Sequence, residues 1–140
     1  QDVEALADQI VGVLARYTGA QLGALSFAAD EREGLRRVGQ YALPRGAAER
    51  GAAASGLTLQ ALRDGELKVV ADVPADYVPV SSALGGAPPR YLVLVAAHAD
   101  GVPTAVLELG LLHRPSQPDL ELLRSVAPQL PAALAETIDR

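Results

Sequence analysis

The sequence predicts an α+β domain with an antiparallel sheet. Three observations carry this. Apolar stripes at helical spacing lie near both ends of the chain. Short runs of strand character stand between them, the clearest being 91–99 and 102–112, joined by Asp100-Gly101. Both faces of that hairpin are apolar, so the sheet needs a covering layer on each side. A chain of 140 residues suits one domain with a single core.

Taken in order, the elements justify themselves locally. Val3, Leu6, Ile10, Val13 and Tyr17 recur at spacings of three and four and mark an amphipathic helix, with Asp2 as its cap and Gly19 as its stop. Residues 22–29 read as a strand, 30–34 as a charged turn, and 35–43 as a second strand with Val38 and Tyr41 on opposite faces. The Ala-, Gly-, Arg- and Glu-rich run 44–55 reads as a connection or weak helix. Residues 56–64 make a short helix with Leu59 and Leu62 on one side and Gly65 ending it. Residues 67–71 are a third strand.

A two-residue turn at Asp100-Gly101 sets the hairpin register. Val95 then faces Val106, and Val93 faces Glu108. One face carries Val93, Val95, Ala97, Thr104, Val106 and Glu108; the other carries Leu92, Leu94, Ala96, Ala105, Leu107 and Leu109. Ser116, with Asp119 three residues on, opens the last helix. Leu120, Leu123, Ala127, Leu130 and Leu134 form its seam. Pro128 and Pro131 each remove a helix hydrogen bond, which predicts a kink or break, with Pro131 starting a new turn. The two terminal helices can pair over the sheet, and any surplus seam can pair with a second copy of the chain.

The stretch 72–90 has no sustained period, yet Tyr77, Val78, Val80 and Leu84 need something to pack on. Long irregular segments inside domains are usually lids or binding loops. We read it as the cover of a cavity.

The composition excludes several function classes. A formal net charge of -5 argues against a nucleic-acid partner, which needs a basic face. The absence of cysteine excludes disulfides, thiolate metal sites, a thiol nucleophile and a thioether-linked chromophore. No run approaches the roughly 20 apolar residues that span a bilayer, so no direct membrane contact is expected. The absence of methionine, position 1 included, predicts a domain excised from a longer chain.

Candidate ligand contacts follow from this arrangement. Glu108, among Val93, Val95 and Val106, reads either as a polar group inside an apolar cavity or as a margin carboxylate facing water or an arginine. Tyr77, Ser81 and Ser82 on the cover can offer hydroxyls to a ligand, or serve locally as core plug and caps. Val80 belongs to the same cover. Tyr41 and Phe27 fill or line the space between layers. Arg90 can meet an anionic ligand or pair with Asp72 or Asp76. His98 and His113 have no second ligand at metal-binding spacing. No nucleophile–base–orienter set, P-loop or dinucleotide fingerprint is present in the sequence, so no catalysis is expected.

The segments Asp72-Val73-Pro74-Ala75-Asp76-Tyr77, Ser81-Ser82-Ala83-Leu84-Gly85 and Ala87-Pro88-Pro89-Arg90, followed by a hairpin ending Val106-Leu107-Glu108-Leu109, together resemble a GAF domain of the bacterial sensor histidine kinase type. The resemblance covers essentially the whole chain. It implies an antiparallel sheet of five or six strands, terminal helices on one face and a small-molecule cavity under the connecting segments on the other. It also implies a cytoplasmic regulatory module that binds an unidentified small molecule through Tyr41, Tyr77, Val80, Ser81, Ser82, Val95, Val106 and Glu108. Such a module dimerises through its terminal helices and biases a covalently attached output domain. The chain departs from better-defined branches. With no asparagine it cannot complete the Asn-Lys-Phe-Asp-Glu signature of cyclic-nucleotide binders. With no cysteine it lacks both the bilin anchor and the thiols of the free methionine-sulfoxide reductases. Ala96 stands where proline is common, Ala105 where glycine is common, and His98 where an apolar residue is usual. The resemblance therefore identifies no cofactor.

Overall fold

The structure is a computed structural model that describes residues 2–30, 32, 34–43, 57–65, 67–71, 73, 89–98 and 104–138. Five antiparallel strands form one sheet: β1 (Leu22–Ala28), β2 (Arg36–Tyr41), β3 (Lys68–Val70), β4 (Tyr91–His98) and β5 (Thr104–Leu111), in the order β2-β1-β5-β4-β3. Helix α1 (Val3–Thr18) and the C-terminal pair α3 (Gln117–Val126) and α4 (Leu130–Ile138) cover one face. The short helix α2 (Leu57–Asp64) packs on the other. The hairpin strand β5 is the centre of the sheet and is buried along its whole length.

Local chemistry fixes the helix ends. Asp2 Oδ1 accepts from the Ala5 backbone N–H at 2.7 Å, satisfying an otherwise orphan donor of α1. Gly19, at φ 75°, turns the chain out and returns its N–H to Ala15 and Arg16 carbonyls. Ser116 Oγ accepts from the Asp119 N–H at 3.2 Å and opens α3. Between α3 and α4 the chain tightens into a 3₁₀ turn at Ala127–Gln129, containing Pro128, and Pro131 sits in the first turn of α4. The break expected from the two prolines is there. The predicted seam Leu120, Leu123, Ala127, Leu130 and Leu134 is buried throughout, and α1 meets α4 over the sheet.

Four expectations are corrected. The first is the hairpin register. Val95 pairs with Leu107, Leu94 with Glu108 and His98 with Thr104. This register is one residue away from the expected one. A shift of one residue exchanges faces. Val93 and Val95 turn to the terminal helices, while Val106 and Glu108 turn to α2 with Leu92 and Leu94.

The second is the buried stripe of α1. It consists of Ala7, Val11, Leu14, Ala15 and Thr18, whereas Val13 and Tyr17 are 57% and 65% exposed. Small residues face the sheet because the approach is close. A Cβ on Gly39 of β2 would lie 2.6 Å from Ala7 Cβ, and one on Gly23 of β1 would lie 2.7 Å from Val11 Cγ1. Val3, Leu6 and Ile10 are partly buried at the side of this contact.

The third is β2. The ladder passes from Leu25↔Gly39 to Ser26↔Arg37, so Val38 is an extra residue in a bulge. The bulge breaks the alternation, and Val38 and Tyr41 both pack on the terminal-helix cluster. The fourth is α2, which buries Thr58 and Ala61, with Leu62 partly covered and Leu59 exposed.

The predicted connection 44–55, the Asp100-Gly101 turn and most of the 72–90 cover lie outside the described residues. Val73 and Pro89, near the two ends of that stretch, both pack on the α2 side. Val73 touches the Leu92–Leu94–Val106 cluster. Pro89 is buried within reach of a Cβ built on Gly110. Among the described residues no helix is long and apolar enough to cross a membrane.

Candidate functional site

The two faces of the sheet differ in chemistry. Toward the terminal helices the strands present Leu25, Phe27, Val93, Val95, Ala97, Ala105, Leu107, Leu109 and Leu111, all apolar and buried. Five buried polar or charged residues are found among those described: Thr18, Ser26, Thr58, Thr104 and Glu108. Thr18 closes its own helix, its hydroxyl donating to the Leu14 carbonyl at 2.9 Å. The other four belong to the α2 side. Register puts Ser26 beside Val106, Glu108 beside Ala24 and Leu94, and Thr104 beside Ala28. Thr58 reaches the same face from the helix above.

Glu108 is the centre of this set. It is 7% exposed, and one carboxylate oxygen accepts from Thr58 Oγ1 at 2.5 Å. A buried carboxylate is strongly disfavoured without donors. The first turn of α2 supplies one, and that contact decides which side of the helix faces the sheet. The hydroxyl is spent on the sheet rather than on the helix's own backbone, the usual local use of threonine. The C-terminal end of α2 is tied as well: Lys68 Nζ on β3 meets Asp64 Oδ2 at 2.6 Å. Leu92, Leu94, Val106, Ala28, Leu35 and Ala61 form the apolar ground around the carboxylate. Among the described residues no group of His, Cys, Asp and Glu is placed to hold a metal ion.

The structure divides the predicted site residues. Val106 and Glu108 share the α2 face. Val95 lies on the opposite face. It lines an open depression of about 470 Å³ at the β4 margin, with Leu67, Arg124, Ala127 and Pro128 among its walls. Tyr41 pairs with Gly23, packs on the terminal-helix cluster, and lies under the Arg16 guanidinium, 5.8 Å from the ring centroid. Neither Val95 nor Tyr41 stands beside Glu108: the register puts Val95 on the opposite face, and Tyr41, paired with Gly23, packs on the terminal-helix cluster. Tyr77, Val80, Ser81 and Ser82 lie outside the described residues. Thr58, Ser26, Ala24 and Gln40 are the neighbours that sequence reasoning did not select. Their signal is positional: once the register is known, Ala24 and Gln40 fall in one row with Glu108.

An antiparallel sheet with terminal helices on one side and a polar-centred face under a short helix on the other defines the class of α+β fold. A sequence profile of the GAF domain matches residues 1–135, and the chain belongs to that family. Solved structures agree in fold. The GAF domain of a two-component sensor histidine kinase from Bacillus halodurans superposes with a TM-score of 0.67 at 16% identity, covering 94% of this chain and 95% of that one. The second GAF domain of DevS from Mycobacterium smegmatis gives 0.68 at 19% identity, covering 97% and 96%. A type II free methionine-R-sulfoxide reductase from Thermoplasma acidophilum gives 0.66 at 16% identity, covering 97% and 96%. The same fold thus occurs as a domain of a sensor kinase and as a reductase. No curated protein sequence matches this chain.

Proposed function

We infer that this chain is a sensory module of a bacterial signal-transduction protein. It binds a small molecule on the α2 face and passes its occupancy through the terminal helices to an attached output domain such as a histidine kinase. The observation that carries this reading is the segregation of buried polar groups to one face, with Glu108 at its centre and Thr58 above it. Ligand sites are mostly apolar with a few placed polar groups. Family membership and the likeness to the Bacillus halodurans kinase domain support the signalling role. The reading is regulatory rather than catalytic, and the absence of cysteine closes a thiol route.

The pleat of β5 supplies a physical link between the faces. Glu108 points toward α2, while its neighbours Leu107 and Leu109 point into the terminal-helix cluster. Leu109 and Val11 of α1 both lie within 3 Å of where a Cβ on Gly23 would stand. A ligand that shifts β5 at Glu108 therefore displaces side chains packed against α1. A useful coupling is about 1–3 kcal/mol. Thermal-shift and calorimetric screening of metabolites, followed by output assays on the full-length protein, tests this. Binding that leaves the output unchanged contradicts the coupling.

One observation favours a second reading, a ligand-free dimerisation module between signalling domains. Val13 and Tyr17, one turn apart on α1, are large and exposed. A monomer by light scattering at high concentration contradicts it.

A further inference from the structure

Three separated stretches of chain wall the depression at the β4 margin. Gly65 and Leu67 come from the link between α2 and β3, Val95 and Ala96 from β4, and Arg124, Ala127 and Pro128 from the end of α3 and the 3₁₀ turn. The shortness of β3 leaves the margin open. Its ladder with β4 ends at Lys68↔Leu94, so Val95 and Ala96 run on past it. Gly65 adds no wall: a Cβ built there meets nothing within 4 Å.

The volume, about 470 Å³, falls within the range of small-molecule sites. Arg124 aside, the side chains on the walls are apolar. Arg124 is exposed, and among the described residues its side chain makes no hydrogen bond, ion pair or ring contact. Glu121, one turn earlier on α3, does not pair with it, and Lys68, next to Leu67, is tied to Asp64. A place in the last turn of α3 suits any cation through the helix dipole. That does not account for an arginine on the wall of an apolar hollow. A guanidinium presents parallel N–H donors that match the two oxygens of a carboxylate. A neutral guest leaves those donors to water, and a cationic guest is repelled by them.

We propose that this depression binds a small carboxylate with an apolar body, the carboxylate on the Arg124 guanidinium and the body against Leu67, Val95, Ala127 and Pro128. The site is separate from the Glu108 site on the α2 face and stands whether or not that one is occupied. Its guest rests against the break between α3 and α4.

The test is a titration of the chain followed by NMR of the Val95 and Ala127 methyls, with the Ala24 methyl reporting on the α2 face. The probe is phenylacetate. The controls, at matched ionic strength, are neutral phenylacetamide, cationic phenethylammonium, and inorganic phosphate as an anion with no apolar body. Phenylacetate shifts the Val95 and Ala127 methyls saturably, and each control binds more weakly. Arg124→Gln keeps the fold, because the side chain is exposed, and weakens phenylacetate binding about three- to tenfold. Arg124→Lys keeps the charge and recovers part of that loss. Phenylacetamide binding as tightly as phenylacetate overturns the carboxylate class, and phosphate binding as tightly overturns the apolar body. Unchanged phenylacetate affinity in Arg124→Gln overturns the proposal. So does silence of the Val95 and Ala127 methyls, whether or not the Ala24 methyl responds.

Discussion

Thr58 and Glu108, 50 positions apart in sequence, meet in a buried 2.5 Å hydrogen bond that joins α2 to the central strand of the sheet. The bond makes the placement of α2 a matter of specific chemistry as well as apolar packing. Removing the donor while keeping the volume isolates it. Thr58→Val leaves a buried carboxylate short of one donor and destabilises the protein by about 1–3 kcal/mol in urea denaturation. Thr58→Ser keeps the hydroxyl and loses less. Equal losses in the two variants contradict a role for the hydroxyl.

The approach of α1 to the sheet at Gly39 leaves no room for a side chain. A Cβ there lies 2.6 Å from Ala7 Cβ, but also 2.7 Å and 2.9 Å from the Ala7 carbonyl carbon and oxygen. Gly39→Ala forces the helix outward and destabilises by about 1–3 kcal/mol. Because backbone atoms are part of the clash, adding Ala7→Gly does not restore stability. Full rescue by the double variant, measured by the same denaturation, contradicts this geometry.

These two contacts also show how far the sequence could be read. The strands of the hairpin, the caps at Asp2, Gly19 and Ser116, and the break at the C-terminal prolines follow from local rules, and the structure has them. The stripe of α1 does not follow from counting large residues. Ala7 and Ala15 face the sheet because Gly39 and Gly23 allow the backbones together, and that pairing is invisible along a single helix. Register is the other non-local quantity. Asp100-Gly101 signals a tight turn and with it a register, but the observed pairing differs by one residue, and that slip moves Val95 from the Glu108 face to the terminal-helix face. The bulge at Val38 likewise breaks the alternation that would set Val38 and Tyr41 on opposite faces. Glu108 was legible as a candidate because a lone carboxylate in an apolar run is unusual. Its partner Thr58 was not, since nothing in a sequence joins positions 58 and 108.

The exposed pair on α1 separates folding from assembly. Val13→Glu and Tyr17→Glu change the unfolding free energy by less than about 0.5 kcal/mol, since neither side chain is in the core. If this stripe is an interface between copies, both variants lower the weight-average mass by light scattering. An unchanged mass in a dimeric protein places the interface elsewhere.

The central claim is that a ligand occupies the α2 face of the sheet beside Glu108. Ala24→Leu fills the space next to that carboxylate without touching the terminal helices, because Ala24 pairs with Glu108 on the opposite side of the pleat from Leu25. The direct test is thermal melting of the wild type and Ala24→Leu against one set of candidate metabolites. The account predicts a compound that raises the wild-type melting temperature by several degrees and leaves the variant unmoved. An equal rise in both proteins contradicts it.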